Sequence, residues 1–212
     1  EKMSASKITV KYAFILSVIA LVCTAISTAV YWLTKGRIES VAAAQQRESL
    51  LEVLPQSYFD NDLFATCKQL HLPDAPYLNK IYFAKKAENL TAYAIQSTAP
   101  DGYSGNIVLL SGIQPDGTLL GVRVLQHAET PGLGDKIETR ISKWILSFTN
   151  KKFSLENEAQ WAVKKDGGQF DQFTGATITP RAVVNNIRQE AKWVITQLAQ
   201  NPAMLEQFEA CQ

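Results

Sequence analysis

Ten consecutive residues, Asp171-Gln172-Phe173-Thr174-Gly175-Ala176-Thr177-Ile178-Thr179-Pro180, gather three threonine hydroxyls within six positions, just ahead of an apolar-periodic segment. Thr179 suits an N-cap and Pro180 the first turn of a helix, so this loop is expected to deliver backbone N–H groups to a helix start. Unpaired N–H groups and the helix dipole favour an anion there, and Gly175 and Ala176 allow close backbone approach. A phosphate is the natural ligand of such a terminus. An ordinary Thr/Pro capping turn accounts for the same residues without a ligand, and local chemistry leaves both readings open.

A second stretch, Glu129-Thr130-Pro131-Gly132-Leu133-Gly134-Asp135-Lys136, places two glycines around a leucine and a cation near its end. Such a loop can approach a flat ring closely, or it can simply connect a strand to a helix. Tyr103, Trp144 and Trp161 are aromatic surfaces that could pack on a ring or fill the core. His71 and His127 are the only histidines. Neither stands with cysteines or carboxylates at zinc spacing, so His127 with Glu129 reads as a polar pair at a strand end and no metal is expected. No G-x-S-x-G elbow or Walker sequence starts a hydrolase or nucleotide-triphosphatase reading. Lys85-Lys86, Lys151-Lys152 and Lys164-Lys165 read as solvated turns, with Lys164-Lys165 close enough in sequence to reach an anion bound by the Asp171 loop.

The elements that must position these loops are legible from periodicity. Ile81–Ala84 and Ala92–Ile95 read as strands joined by a turn at 86–89, and Asn106–Ile113 and Leu119–Leu125 as strands joined by Pro115-Asp116-Gly117-Thr118. Ile137, Ile141, Trp144, Ile145 and Phe148 predict an amphipathic helix over 136–148. Trp161-Ala162-Val163 suggests a short strand. From Pro180 onward, Val183, Val184, Ile187, Ala191, Val194, Ile195 and Leu198 form one helical face. The order argues for an α+β domain, and no GxGxxG unit supports a dinucleotide fold.

Twenty-three residues from Tyr12 to Thr34 carry no charge, with Lys2, Lys7 and Lys11 before them and Lys35 and Arg37 after. A helix of that length reaches roughly 35 Å at about 1.5 Å per residue, enough for a hydrocarbon core of about 30 Å. The expected organisation is a short N-terminus (1–11), cytoplasmic if the domain is periplasmic, a transmembrane helix in the lipid bilayer (12–34), a helical stalk (35–55) and one domain (56–212). A cleaved signal peptide with Ala42-Ala43-Ala44 as its small-residue site is the rival, but the apolar run exceeds a signal's usual h-region. Beyond Thr34 the chain keeps 18 of its 21 Lys+Arg and 19 of its 20 Asp+Glu, losing Lys2, Lys7, Lys11 and Glu1. That near-neutral balance supplies no field for nucleic acid. Basic residues on the two sides of the span nearly balance, so they do not orient it. Cys67 and Cys211 are compatible with one disulfide or with two unrelated thiols.

Asp171-x-x-Thr174-Gly175-Ala176-Thr177 resembles the flavinylation motif read by periplasmic flavin transferases, whose last threonine receives FMN through a phosphoester. With Ala99–Gly105, Glu129–Lys136 and Trp161–Gly168, the chain resembles the G subunit of Rnf (Rsx) electron-transport complexes over essentially its whole length. The related C subunit of sodium-pumping NADH:quinone reductases shares the motif and the anchor, but it is usually longer. The resemblance implies a mixed α/β FMN-binding domain with covalent FMN on Thr177. Asp171, Thr174, Gly175, Ala176, Thr179, Glu129, Thr130, Pro131, Gly132, Leu133, Gly134, Lys136 and Tyr103 are then the expected cofactor contacts. It further implies a periplasmic domain on a single-pass anchor in a bacterial inner membrane, a flavin transferase for maturation, and other membrane and peripheral subunits as partners. The activity would be electron transfer inside an ion-translocating oxidoreductase (translocase) complex. In that compartment Cys67 and Cys211 are expected to pair. A non-redox scaffold, and a sensor of a free anion at the same helix start, are the readings from other classes.

Overall fold

The computed structural model describes residues 2–211 and, for residues 2–8, 38–40, 42 and 43, the backbone only. Glu1 and Gln212, and the side chains of Lys2, Lys7, Ala42 and Ala43, which figured in the expected segments, charge flank and small-residue site, lie outside the described residues. The chain divides into Glu1–Arg47 and Glu48–Gln212.

The first unit is helical, part of α1 (Lys2–Val53). Within it Thr9–Arg37 is long and apolar enough to cross a membrane, and its described side chains are exposed. The hydroxyls of Ser17, Thr24, Ser27 and Thr34 each donate to the carbonyl four residues earlier at 2.8–2.9 Å. Such back-bonding satisfies polar groups that an apolar solvent would leave without partners. Pro55 lies two residues beyond the end of α1, where its missing N–H and its effect on the preceding residue forbid further helix.

The second unit is built on an antiparallel meander, β1 (Lys68–Gln69), β2 (Leu78–Lys86), β3 (Asn89–Gly102), β4 (Gly105–Ile113) and β5 (Leu119–Gln126), in spatial order β1-β2-β3-β4-β5. The two expected hairpins are present. At the first, Ala87 and Glu88 have φ of 48° and 65°, the double positive φ that a tight type I′ connection requires. Strand alternation sorts the sheet into two faces. Ile81, Tyr93, Ile95, Leu109 and Leu119 join the core beneath α2 (Ile178–Trp193), whereas Tyr82, Ala92, Ala94, Leu110 and Leu120 meet Leu50, Val53 and Leu54 from the end of α1. That second face is cut down to glycine where the helix end arrives. Gly112 and Gly121 pair across β4 and β5, and a Cβ on Gly112 would lie 2.0 Å from the Val53 carbonyl oxygen.

Three local expectations are corrected. Residues 136–148 are two 3-10 turns, Gly134–Ile137 and Trp144–Phe148, separated by extended backbone at Glu138. Ser142 competes with the helix ladder there: its hydroxyl donates to the Lys136 carbonyl at 2.5 Å and accepts the Trp144 N–H at 3.1 Å. Ile137, Ile145 and Phe148 are buried as the periodicity implies, but Ile141 is exposed. Trp161-Ala162-Val163 is no strand. Val163 makes a single parallel bridge to Phe170, and Trp161 is fully buried among Phe148, Phe153 and Phe170. Finally, α2 begins at Ile178, two residues earlier than expected, and continues as a π turn over Val194–Leu198. Its Val183, Val184, Ile187, Ala191, Val194 and Leu198 are buried.

The C-terminal segment is fastened to β1. Lys68 bridges Ala210, the Gln69 N–H donates to the Glu209 carbonyl at 2.9 Å, and Cys67 is disulfide-bonded to Cys211.

Candidate functional site

The threonine-rich loop is pinned at its base and open at its tip. Phe173 is buried against Trp144 with ring centroids 5.1 Å apart, and the Trp144 indole N–H donates to the Asp171 carbonyl at 2.7 Å. From that anchor Phe173–Ala176 forms a turn closed by the Ala176 N–H on the Phe173 carbonyl at 3.1 Å. Gly175 holds φ +79° at its third position, where a side chain would be strained. Two ion pairs brace the flanks: Lys164 with Asp171 at 2.5 Å and Arg181 with Asp166 at 2.6 Å. The Arg181 hydrogen bonds hold the Asp166 carboxyl below its ordinary range.

Thr177, not Thr179, occupies the N-cap position of α2, and its side chain makes no capping hydrogen bond. Thr179 lies further inside the first turn, is buried, and donates its hydroxyl to Glu129. It stands inside the helix and not at the cap position, and its hydroxyl proton goes to another element. The first-turn N–H groups of a helix have no intrahelical acceptor. The Arg181 N–H, on the Thr177 carbonyl at 3.3 Å, is the one that begins the helical ladder.

In front of this helix start lies a cavity of about 310 Å³. One wall is Glu129, Thr130, Leu133 and Gly134; the other is Gly175 through Thr179, with Tyr103 from the tip of the β3–β4 hairpin at the rim. Tyr103 is 68% exposed, Ile178 45% and Leu133 42%, so the rim presents apolar side chains to solvent. Gly134 is tightly enclosed: a Cβ there would come 2.7 Å from Glu129 Oε2 and 2.8 Å from Thr179 Oγ1. Thus the two loops singled out in the sequence, 129–136 and 171–180, converge on one cavity. Asp171, Thr174, Pro131, Gly132 and Lys136 do not line it. Asp171 faces Lys164, and Lys136 Nζ stands 6.0 Å over the Phe173 ring. Lys164 and Arg181 are engaged by Asp171 and Asp166, so an anion at the helix start meets backbone N–H groups first.

Behind the cavity, His127 pairs with Glu138 through Nε2 at 2.5 Å and not with the Glu129 carboxylate. Its Nδ1 accepts the Glu129 backbone N–H at 3.0 Å. The Arg140 hydrogen bonds, aided by His127, pull the Glu138 carboxyl down to about 2. Among the described residues no group of three or more His, Cys, Asp or Glu could hold a metal ion. Trp161, weighed as a ring contact, lies wholly in the core. Glu129 lines the cavity, as expected of it, but sequence reasoning paired it with His127 and missed the partners of its side chain. A lone glutamate before Thr-Pro-Gly carries no signal that its oxygens are taken by a hairpin tip and a distant helix.

Two family profiles match the chain: the RnfG N-terminal region over residues 3–53 and the FMN-binding domain over residues 102–192. The G subunit of the ion-translocating oxidoreductase complex of Haemophilus influenzae is 55% identical over 206 residues, covering 97% of this chain and 98% of its own. The G subunit of the same complex in Escherichia coli K12 is 46% identical over 205 residues, covering 95% and 96%. The crystal structure of Shewanella oneidensis NqrC aligns at a TM-score of 0.45 with 19% identity, covering 74% of this chain and 73% of that one. With an apolar N-terminal helix, a mixed α/β domain whose two loops enclose one cavity, and these matches along nearly its full length, the chain belongs to the G-subunit family of ion-translocating oxidoreductase complexes and carries that family's FMN-binding domain.

Proposed function

We propose that the chain is a single-pass subunit of such a complex, anchored by Thr9–Arg37 in a bacterial inner membrane. Its domain stands on the periplasmic side and carries FMN esterified through its phosphate to the Thr177 hydroxyl. The observation that carries this reading is the setting of Thr177: a hydroxyl unused in capping, at a helix start, on the wall of a cavity with an apolar rim. The residues present fit FMN. At about 310 Å³ the cavity sits near the lower end of the roughly 300–1,000 Å³ typical of ligand sites, and its open rim leaves room for a long ligand to extend over Tyr103, Leu133 and Ile178. The space beside Gly134 is so confined that even a methyl group is excluded, which brings backbone to the wall.

Bound FMN would supply electron carriage in single steps. The chain supplies the rest. The N–H groups of Ile178 and Thr179, at the start of α2, would be the ones offered to its phosphate, and Pro180, in the third helical position, adds no N–H. Tyr103, Leu133 and Ile178 offer apolar surface to a flat ring. Attachment through the phosphate leaves that ring unsubstituted, so its potential is set by pocket contacts. Thr174 and Gly175 are exposed at the loop tip, where a flavin transferase can reach them. Other subunits of the complex are the electron donors and acceptors in this reading.

The test is in-gel fluorescence of the full chain produced with a flavin transferase. A denatured wild-type band is expected to fluoresce and Thr177→Ala to be dark. A fluorescent Thr177→Ala band would refute the attachment residue.

A further inference from the structure

The loop carrying Glu129 and the loop carrying Thr177 are held together by one buried carboxylate. Glu129 is 5% exposed. Its Oε1 accepts the Ser104 N–H at 2.9 Å from the tip of the β3–β4 hairpin, next to Tyr103. Its Oε2 accepts the Thr179 hydroxyl at the start of α2. The same two oxygens are what a Cβ would strike at Gly102, at 3.0 Å, and at Gly134, at 2.7 Å. Hairpin tip, loop and helix start therefore close on Glu129 from three sides. Its backbone is fixed as well. The Glu129 N–H donates to His127 Nδ1, so the proton of a neutral imidazole lies on Nε2 and is donated to Glu138, which Arg140 holds from outside.

Both Glu129 oxygens are occupied by neutral donors, and among the described residues no Lys, Arg or His forms a salt bridge with its carboxylate. It is an acceptor-only group at the cavity wall, bracing the site and placing charge beside it.

We propose that Glu129 is the positioning residue of the flavin site. Through Ser104 and Thr179 it sets the separation of Tyr103 and Thr177, and its uncompensated charge opposes electron uptake in the cavity. A negative charge fixed on a buried side chain beside the flavin raises the cost of adding another, so neutralising it at constant shape makes the flavin easier to reduce. This rests on the reading of Thr177 as the attachment site. It extends that reading from where the flavin is tied to what holds the site's geometry and poise.

Full-length chains in detergent, wild type, Glu129→Gln and Glu129→Ala, would be compared in two ways. Amide hydrogen exchange on unmodified protein reads the brace without any flavin. The Ser104 N–H, at an otherwise exposed hairpin tip, is expected to be protected in the wild type and to exchange at least tenfold faster in Glu129→Ala. Equal exchange overturns the brace. Spectroelectrochemistry on flavinylated protein reads the charge. Glu129→Gln, whose amide oxygen can keep the Ser104 bond, is expected to show a more positive midpoint potential with an unchanged melting temperature. An unchanged potential, or a more negative one, overturns the charge assignment. A wild-type chain that takes no covalent flavin would refute the Thr177 reading alone, and the exchange result would still decide the role of Glu129.

Discussion

Replacing Glu190 with glutamine is expected to stabilise the folded domain at alkaline pH. Glu190 lies on α2 beneath the sheet and is wholly buried. Ser97 on β3 donates its hydroxyl at 2.7 Å, and Ser111 on β4 donates to the other oxygen. Burial pushes the carboxyl up from 4.5 to about 7, against the two serine hydrogen bonds that pull it down. The folded state thus binds this proton more tightly than the unfolded state. The associated stability is complete below pH 4.5 and is lost as pH rises to and through about 7. At about 1.36 kcal/mol per pKa unit, the loss approaches about 3 kcal/mol on the alkaline side. Tyr77 does not confuse the window. Burial first and Glu190 second push its phenol to about 12, so it stays protonated throughout. Glutamine can accept from one serine and donate to the other while never ionising. In urea unfolding of the full chain in detergent, Glu190→Gln should match the wild type near pH 4.5 and exceed it by about 3 kcal/mol at pH 8.5. That difference corresponds to roughly 6–12 °C in melting temperature for a domain of this size. Parallel pH profiles for the two proteins would refute the reasoning.

Three further outcomes follow from the packing. Gly134→Ala puts a Cβ against Glu129 and Thr179, so flavin incorporation measured by gel fluorescence should fall severalfold while far-UV circular dichroism is kept. Gly112→Ala drives a Cβ into the Val53 carbonyl and should lower stability by at least about 1–3 kcal/mol, seen as a lower melting temperature of the full chain. Cys67→Ala removes the bond that closes a 144-residue separation and should cost about 2–4 kcal/mol in urea. It should also speed amide exchange at Gln69 and Cys211, whose N–H groups tie β1 to the C-terminal segment.

Much of the framework could be read from local pattern because local pattern decides it. Ile81 and Tyr82, or Leu109 and Leu110, fall on opposite faces by strand geometry alone, and Gly117 marks its turn by the positive φ it adopts. The apolar stripe of α2 was legible for the same reason. What failed was decided by partners far away in sequence. The stripe over 136–148 obeys helical spacing, yet Ser142 diverts the backbone and Ile141 faces solvent. Thr179 has the chemistry of an N-cap, but α2 starts ahead of it with Thr177 at the cap position, and its hydroxyl donates to a glutamate 50 residues earlier. His127 and Glu129 stand two residues apart and still point their side chains to different partners, Glu138 and Thr179. Glu190 gave no sign at all, since a polar residue on an amphipathic helix reads as solvated until Ser97 and Ser111 are seen to face it.

The most direct measurement is the mass of the tryptic peptide Asp166–Arg181 from protein made with the flavin transferase. The expected result is a gain of one FMN less one water, with fragment ions placing it on Thr177 and not on Thr174 or Thr179. An unmodified peptide, or a modification on either of the other threonines, would contradict the attachment of FMN to Thr177.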